Sequence, residues 1–255
     1  MQAIQLLAGN LGNVLFSGLG QFAGDPARQG RAALSAGRVL ALVGMPLCFL
    51  QAAAAEPAMR VLFMSKADPA KWEPAVPLVQ MLSVGMGFNC IGWAGISLGQ
   101  ALGRFRSLLG LFIVAAAVFF GAAWGGAVIG GRVGWRVEVG VAAGVAAYFV
   151  VMSCVGFAVI LRWAGIGLGQ LAAIYPVPMV GGGGAALAGW WVAQQTHGEG
   201  RPAEVVRGAV TGLVFFAIYG PIAWFGAPGA RRQVTGRVRE LLPRRFRQRV
   251  RGVPA

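Results

Sequence analysis

Acidic residues are scarce in this chain: eight Asp and Glu in 255 positions, with all charged residues together making up 12%. An ordinary soluble domain carries about twice that charged share, so a conventional water-exposed surface is excluded. There is one histidine, His197, with no metal-ligand neighbour at usable spacing, which excludes a Ser/His/Asp triad built on a core histidine and any His-based metal site. The three cysteines, Cys48, Cys90 and Cys154, lie far apart and each inside an apolar stretch. Neither a disulfide framework nor a zinc site follows from that spacing. No P-loop sequence occurs, and no apolar stretch carries an acid near its middle. No pair of acids shares a site either, so the chain is expected to be neither an enzyme nor a holder of a metal or cofactor.

What is abundant is apolar length. Hydrophobic residues make up 57% of the chain, and its mean hydropathy is +0.67. A bilayer core of about 30 Å needs roughly 20 apolar residues in a helix. Seven stretches meet that length, near 1–20, 36–58, 76–103, 107–130, 139–161, 166–193 and 208–226. The expectation is an all-α polytopic bundle over 1–230 with a basic tail over 231–255. No cleavable signal peptide is expected, since no short apolar segment with a basic start and a small-residue cleavage site is seen ahead of these stretches.

The charge that exists is mostly positive, 22 Lys and Arg giving a net +14, and it lies between the apolar runs. Basic residues in short loops set orientation. Counted on alternate sides, 15 of them share the side of the C-terminal tail and seven lie opposite, together with six of the eight acids. That places the C-terminus in the cytoplasm, on a count that the tail dominates. The tail itself holds nine arginines and one acid, with Val234, Val238, Leu241, Leu242, Phe246 and Val250 at roughly helical intervals and a break at Pro243. It reads as a basic amphipathic helix held on anionic membrane lipids through Arg244, Arg245, Arg247 and Arg249 rather than on nucleic acid, because no base-stacking module accompanies it.

Four further features have local meaning. Glycine pairs four apart, Gly121 with Gly125, Gly126 with Gly130 and Gly140 with Gly144, suit close helix contacts inside the bundle. Pro176, Pro178 and Gly181 to Gly184 predict a break or kink inside the sixth stretch, of the kind that either packs against small neighbours or exposes backbone groups to a ligand. The segment 56–77 combines an apolar patch with Trp72 and mixed charges, predicting an interfacial hairpin with Trp72 at headgroup depth. Gln80, Asn89, Ser97 and Gln100 are compatible with a polar stripe lining a cavity, or with hydrogen bonds to neighbouring helices.

Four segments in order, VLFSGLGQFAGDPARQGRA (Val14 to Ala32), RVLALVGMPLCFLQAAAAEPAMRVLF (Arg38 to Phe63), KWEPAVPLVQMLSVG (Lys71 to Gly85) and GQALGRFR (Gly99 to Arg106), carry a resemblance. Together they look like the C-terminal half of a bacterial polysaccharide-biosynthesis flippase of the O-antigen/oligosaccharide type. Such proteins belong to the multidrug/oligosaccharidyl-lipid/polysaccharide exporter superfamily. Ser17 stands where that family usually has proline, and Met64 where glycine is typical. The resemblance implies one lobe of a MATE-like two-lobed bundle in the bacterial inner membrane. It implies a lipid-linked oligosaccharide of the undecaprenyl diphosphate type as the cargo, carried to the outer leaflet for lipopolysaccharide or exopolysaccharide assembly. It also implies a partner N-terminal lobe, on a separate or missing segment, because alternating access needs two bundles. Arg38 and Arg60 are then candidates for the diphosphate, since arginine offers bidentate contacts to phosphate oxygens, and Gln80 and Asn89 for other polar groups of the cargo. The alternatives are a non-transporting scaffold of a glycan-assembly complex and an inactive truncated fragment.

Overall fold

A computed structural model describes residues 18–22, 24–63, 72–198 and 200–226. Among them every regular element is helical: α1 (Pro26–Ala53), α2 (Ala55–Phe63), α3 (Ala75–Ala101), α4 (Phe105–Val133), α5 (Val137–Trp163), α6 (Leu168–Ala172), a π-helical turn (Val177–Gly182), α7 (Gly183–Gln194) and α8 (Arg201–Gly226). Taking α6 through α7 as one crossing, six segments are long and apolar enough to span a membrane. The chain is a multi-pass helical membrane bundle. Of the expected first span only residues 18–20 are described, and the basic tail lies outside the described residues.

Two helices are longer than the apolar pattern predicts. α1 starts at Pro26 rather than near residue 36, because Asp25 caps it: its Oδ1 accepts from the Arg28 backbone N–H at 2.9 Å, and Pro26 occupies the first turn. Both choices suit a helix N-terminus. α8 starts at Arg201 rather than near residue 208, since its charged first turns find partners described below. Between spans the chain reverses on left-handed glycines. After α4, Gly134 has φ +80° and the Trp135 N–H returns to the Gly130 carbonyl at 2.8 Å; after α5, Gly165 has φ +73° and Ile166 bonds back to Leu161. These are C-terminal caps that a Cβ would strain.

The spans lie in a row. α3 stands between α1 and α5, α5 carries α4 on its far side, and the π turn, α7 and α8 cover the other flank of α1. Burial in lipid does not drive helices together, so close contacts must. Gly126 and Gly130 of α4 meet Gly140 and Gly144 of α5 backbone to backbone, as the glycine spacing predicts. Gly121 and Gly125 face outward, with nothing within 4 Å of where a Cβ would sit. α4 buries only Leu108 and Gly130, and hangs on the bundle by that glycine seam. The core proper lies where α1, α3 and α5 meet, around Met45, Ile91, Phe157 and Ile160. There Gly37 and Gly95 make room for the Phe157 ring.

The two ends of the bundle can be told apart by contacts. At one, Gly30 of α1 packs on Ala164 and Ile166 and the Arg104 guanidinium lies over the Trp163 ring. At the other, Arg60 of α2 meets Glu204 of α8. These are called the Arg104 end and the Glu204 end below.

Candidate functional site

A groove of about 390 Å³ lies between α1, α3 and α7, lined by Phe49, Ala52, Ala53, Gln80, Val84, Gly183, Ala186, Leu187 and Trp190. That volume falls in the range of ligand sites. Its rim residues Val84, Leu187 and Trp190 are exposed, so the groove opens sideways, toward lipid rather than along the bundle axis. Gln80 is the one residue of the lining with a polar side chain other than the Trp190 indole.

Asn89 lines a different space. A cleft of about 110 Å³ between α3, α4 and α5 is bordered by Asn89, Tyr148, Met152 and Ser153 among apolar neighbours. The Asn89 Nδ2 lies 4.0 Å from the Met86 sulfur. Nine residues are two and a half helical turns, so Gln80 and Asn89 necessarily look out of opposite faces of α3. Ser97 is buried and donates to the Trp93 carbonyl at 3.1 Å, and Gln100 is exposed. The four polar residues therefore do not form one stripe, and α3 is the wall between two spaces.

Behind the groove three irregularities meet. Pro46 lies inside α1 and has no N–H for the Leu42 carbonyl four residues earlier. The Tyr219 hydroxyl of α8 donates to that carbonyl at 2.6 Å, replacing the missing bond from a neighbouring helix. The predicted break is present as the π turn Val177–Gly182, and it packs into the same place. A Cβ on Gly182 would come within 2.9 Å of Pro46, and one on Gly181 within 2.6 Å of Ile222, next to Pro221 of α8. The groove residues follow directly on these irregularities: Phe49 is three positions after Pro46, and Gly183 opens α7 at the end of the π turn.

The Glu204 end is closed by charge. Glu204 is buried, and its Oε1 accepts from Arg207 Nη1 at 2.9 Å and from Arg60 Nη1 at 3.2 Å. Arg60 also reaches Glu56 at 2.7 Å, and Arg207 Nη2 donates to the Thr196 carbonyl at 3.4 Å. This network ties α2 to α8. Arg60, a candidate for cargo phosphate, thus has its guanidinium committed to two carboxylates. Arg38 is exposed on α1, about 18 Å along the axis from Pro26. Trp72 is exposed as well, and its ring lies against Phe63 with centroids 5.2 Å apart; residues 64–71 of the expected hairpin lie outside the described residues. Arg244, Arg245, Arg247 and Arg249 lie outside the described residues.

The structure therefore separates the sequence candidates: Gln80 in the groove, Asn89 in the opposite cleft, Arg60 in the ion network, Arg38 on the outer face. Sequence reasoning missed Glu204, Arg207 and Tyr219. A signal for the first two existed, since a carboxylate and a guanidinium three apart at a helix start can pair on one face. What the groove supplies is apolar contact and one amide, which suits holding a chain-like molecule by shape. No protein-family model, no curated protein and no solved structure matches the chain.

Proposed function

We propose that this chain is the C-terminal lobe of a two-lobed flippase that moves a lipid-linked oligosaccharide across the bacterial plasma membrane, with its basic tail on the cytoplasmic side. Two things support the reading. The first is the resemblance of the four segments between Val14 and Arg106. The second, which carries it, is the laterally open apolar groove beside Gln80, set against an in-helix proline and a π turn. A groove of that kind admits a prenyl or acyl chain from the bilayer without taking it through the packed core. Interrupted helices beside a binding space are a recurrent feature of transporters. Arg38 and Gln80 are the residues assigned to cargo, the first to phosphate and the second to a polar group near the chain.

The test is complementation. The chain is expressed alone, and fused behind the N-terminal lobe of a known oligosaccharide flippase, in cells lacking their own flippase, and surface polysaccharide is scored. Rescue by the fusion, lost when Ala52→Phe fills the groove, is the expected result. Failure of both forms, with stable membrane insertion demonstrated, overturns the proposal in favour of a non-transporting role.

A further inference from the structure

The two ends of the bundle treat their charges differently. Among the described residues the Glu204 end holds Glu56, Glu73, Glu138 and Glu204 beside five arginines, and every ion pair in the structure forms there. The Arg104 end holds Arg28, Arg31, Arg104, Arg106 and Arg162, all exposed, and a single carboxylate. That carboxylate, Asp25, is engaged as the cap of α1. Among the described residues no ion pair forms at this end.

Two of these arginines are positioned by aromatic rings instead of by acids. The Arg28 guanidinium lies 4.5 Å from the Phe22 ring centroid and that of Arg104 lies 5.7 Å from Trp163. A guanidinium stacked by its face keeps its N–H edge available for oxygen acceptors. Arg162 directly precedes Trp163, and Arg106 is two residues from Arg104, so the α3–α4 turn and the end of α5 bring three arginines onto one surface. The start of α1 joins it through Gly30 against Ala164 and Ile166. Exposed apolar residues are interleaved with the cations: Phe105 between Arg104 and Arg106, and Leu109 one turn further into α4. The surface therefore lies where the apolar spans end, at headgroup depth, with apolar groups reaching one way and guanidinium groups the other.

We propose that the Arg104 end is a docking surface for anionic phospholipids, whose phosphate diester oxygens accept hydrogen bonds from Arg104, Arg106 and Arg162. The charge is complementary to a leaflet carrying phosphatidylglycerol, and the depth excludes a partner that stays in water. The surface belongs to the folded bundle, so it acts without the arginines of the tail. It also stands whether or not the chain transports a lipid-linked sugar.

The experiment uses the full chain reconstituted in phosphatidylcholine with trace spin-labelled phosphatidylglycerol or spin-labelled phosphatidylcholine, and reads the protein-immobilised fraction of each. A preference for phosphatidylglycerol is expected, weakening as salt rises, and falling by about fivefold for each arginine that contributes fully when removed in R104Q/R106Q/R162Q. The single variant R106Q, at an exposed position, gives a smaller fall in the same direction should the triple variant insert poorly. A tail with its nine arginines replaced by glutamine retains a preference, and R136Q at the opposite end, where the cation is paired to Glu138, leaves it unchanged. Equal preference in wild type, R106Q and the triple variant overturns the proposal. So does loss of all preference with the tail arginines alone, or displacement of the lipid by millimolar inorganic phosphate or by an oligonucleotide, which would identify a soluble anion or a nucleic acid as the ligand.

Discussion

Tyr219→Phe deletes one hydroxyl and nothing else, and the structure says what that hydroxyl does. It donates at 2.6 Å to the Leu42 carbonyl, which Pro46 leaves without its helical donor. The ring's stacking on Phe215, with centroids 5.6 Å apart and planes at 28°, does not involve the oxygen and is kept by phenylalanine. Interhelical hydrogen bonds in membrane bundles average about 0.6 kcal/mol and reach about 1.7. An orphaned carbonyl adds to the cost, about 1–3 kcal/mol when fully buried. Since this contact is part-buried, a loss of about 1.5 kcal/mol follows, or roughly tenfold in the unfolding equilibrium constant. Reversible unfolding of the purified chain by SDS in mixed micelles measures it. The decisive comparison is the double-mutant cycle with Pro46→Ala, which returns an N–H at position 46 so that Leu42 is satisfied within α1. On that background Tyr219→Phe should cost less than about 0.5 kcal/mol, leaving a coupling of about 1 kcal/mol. Packing changes against Gly182 caused by losing the proline ring appear in both arms of the cycle and cancel. Equal cost on the two backgrounds would refute the reasoning, because the hydroxyl would then be serving something other than the carbonyl freed by the proline.

Gly126→Ala should destabilise the bundle by about 1–3 kcal/mol in the same unfolding assay, since its Cβ would collide with the Gly140 carbonyl; Gly121→Ala, on the open face of α4, should be neutral or slightly stabilising. Glu204→Gln removes the negative charge shared by Arg60 and Arg207, keeping a neutral acceptor oxygen, and leaves Arg60 paired to Glu56. Because both arginines keep some solvent contact, the expected loss in the same unfolding assay is about 1–2 kcal/mol rather than the full cost of a buried broken pair. Ala52→Phe should reduce polysaccharide export by the fused transporter tenfold or more while shifting SDS unfolding by less than about 1 kcal/mol, because the added ring enters open space; an export defect matched by an equal stability loss would point to misfolding instead.

The fold class was legible because lipid makes one demand of a backbone, that its polar groups be satisfied within the helix, and long charge-free stretches meet it. Helix starts were less legible. Charges at Arg28 and Glu204 interrupt the apolar runs without interrupting the helices, since at the membrane boundary a charged side chain costs little once it has a ring or a counter-ion. The glycine seam could be read in kind, and the structure distinguishes Gly126 and Gly130, which face α5, from Gly121 and Gly125, which face out. For the polar residues of α3 the sequence already held the answer: the nine-residue separation of Gln80 and Asn89 places them on opposite faces, and a stripe over 80–100 conflicts with helical periodicity. Glu204 with Arg60 is a different matter. The two lie 144 positions apart, and no local pattern joins them.

Pro46 shows how far a sequence argument can be carried inside a membrane. A proline in a span states that one carbonyl, four residues earlier, needs a donor from elsewhere, because no water reaches it. That requirement is readable; the identity of the donor is a property of the packed bundle, and it comes from Tyr219, 177 positions away. The consequence extends to the neighbours. The Pro46 ring needs a partner with little side-chain bulk, and Gly182 supplies it from the π turn, where a Cβ would come within 2.9 Å of the ring. The groove lies immediately beyond, between the stretches of α1 and α7 that have just left these irregularities. The same three residues thus satisfy the backbone and set the approach of α7 to α1, just before the groove lining begins at Phe49 and Gly183. A substitution at Gly182 should therefore perturb both stability and groove occupancy, whereas Tyr219→Phe should weaken the bundle while leaving the lining of the groove intact.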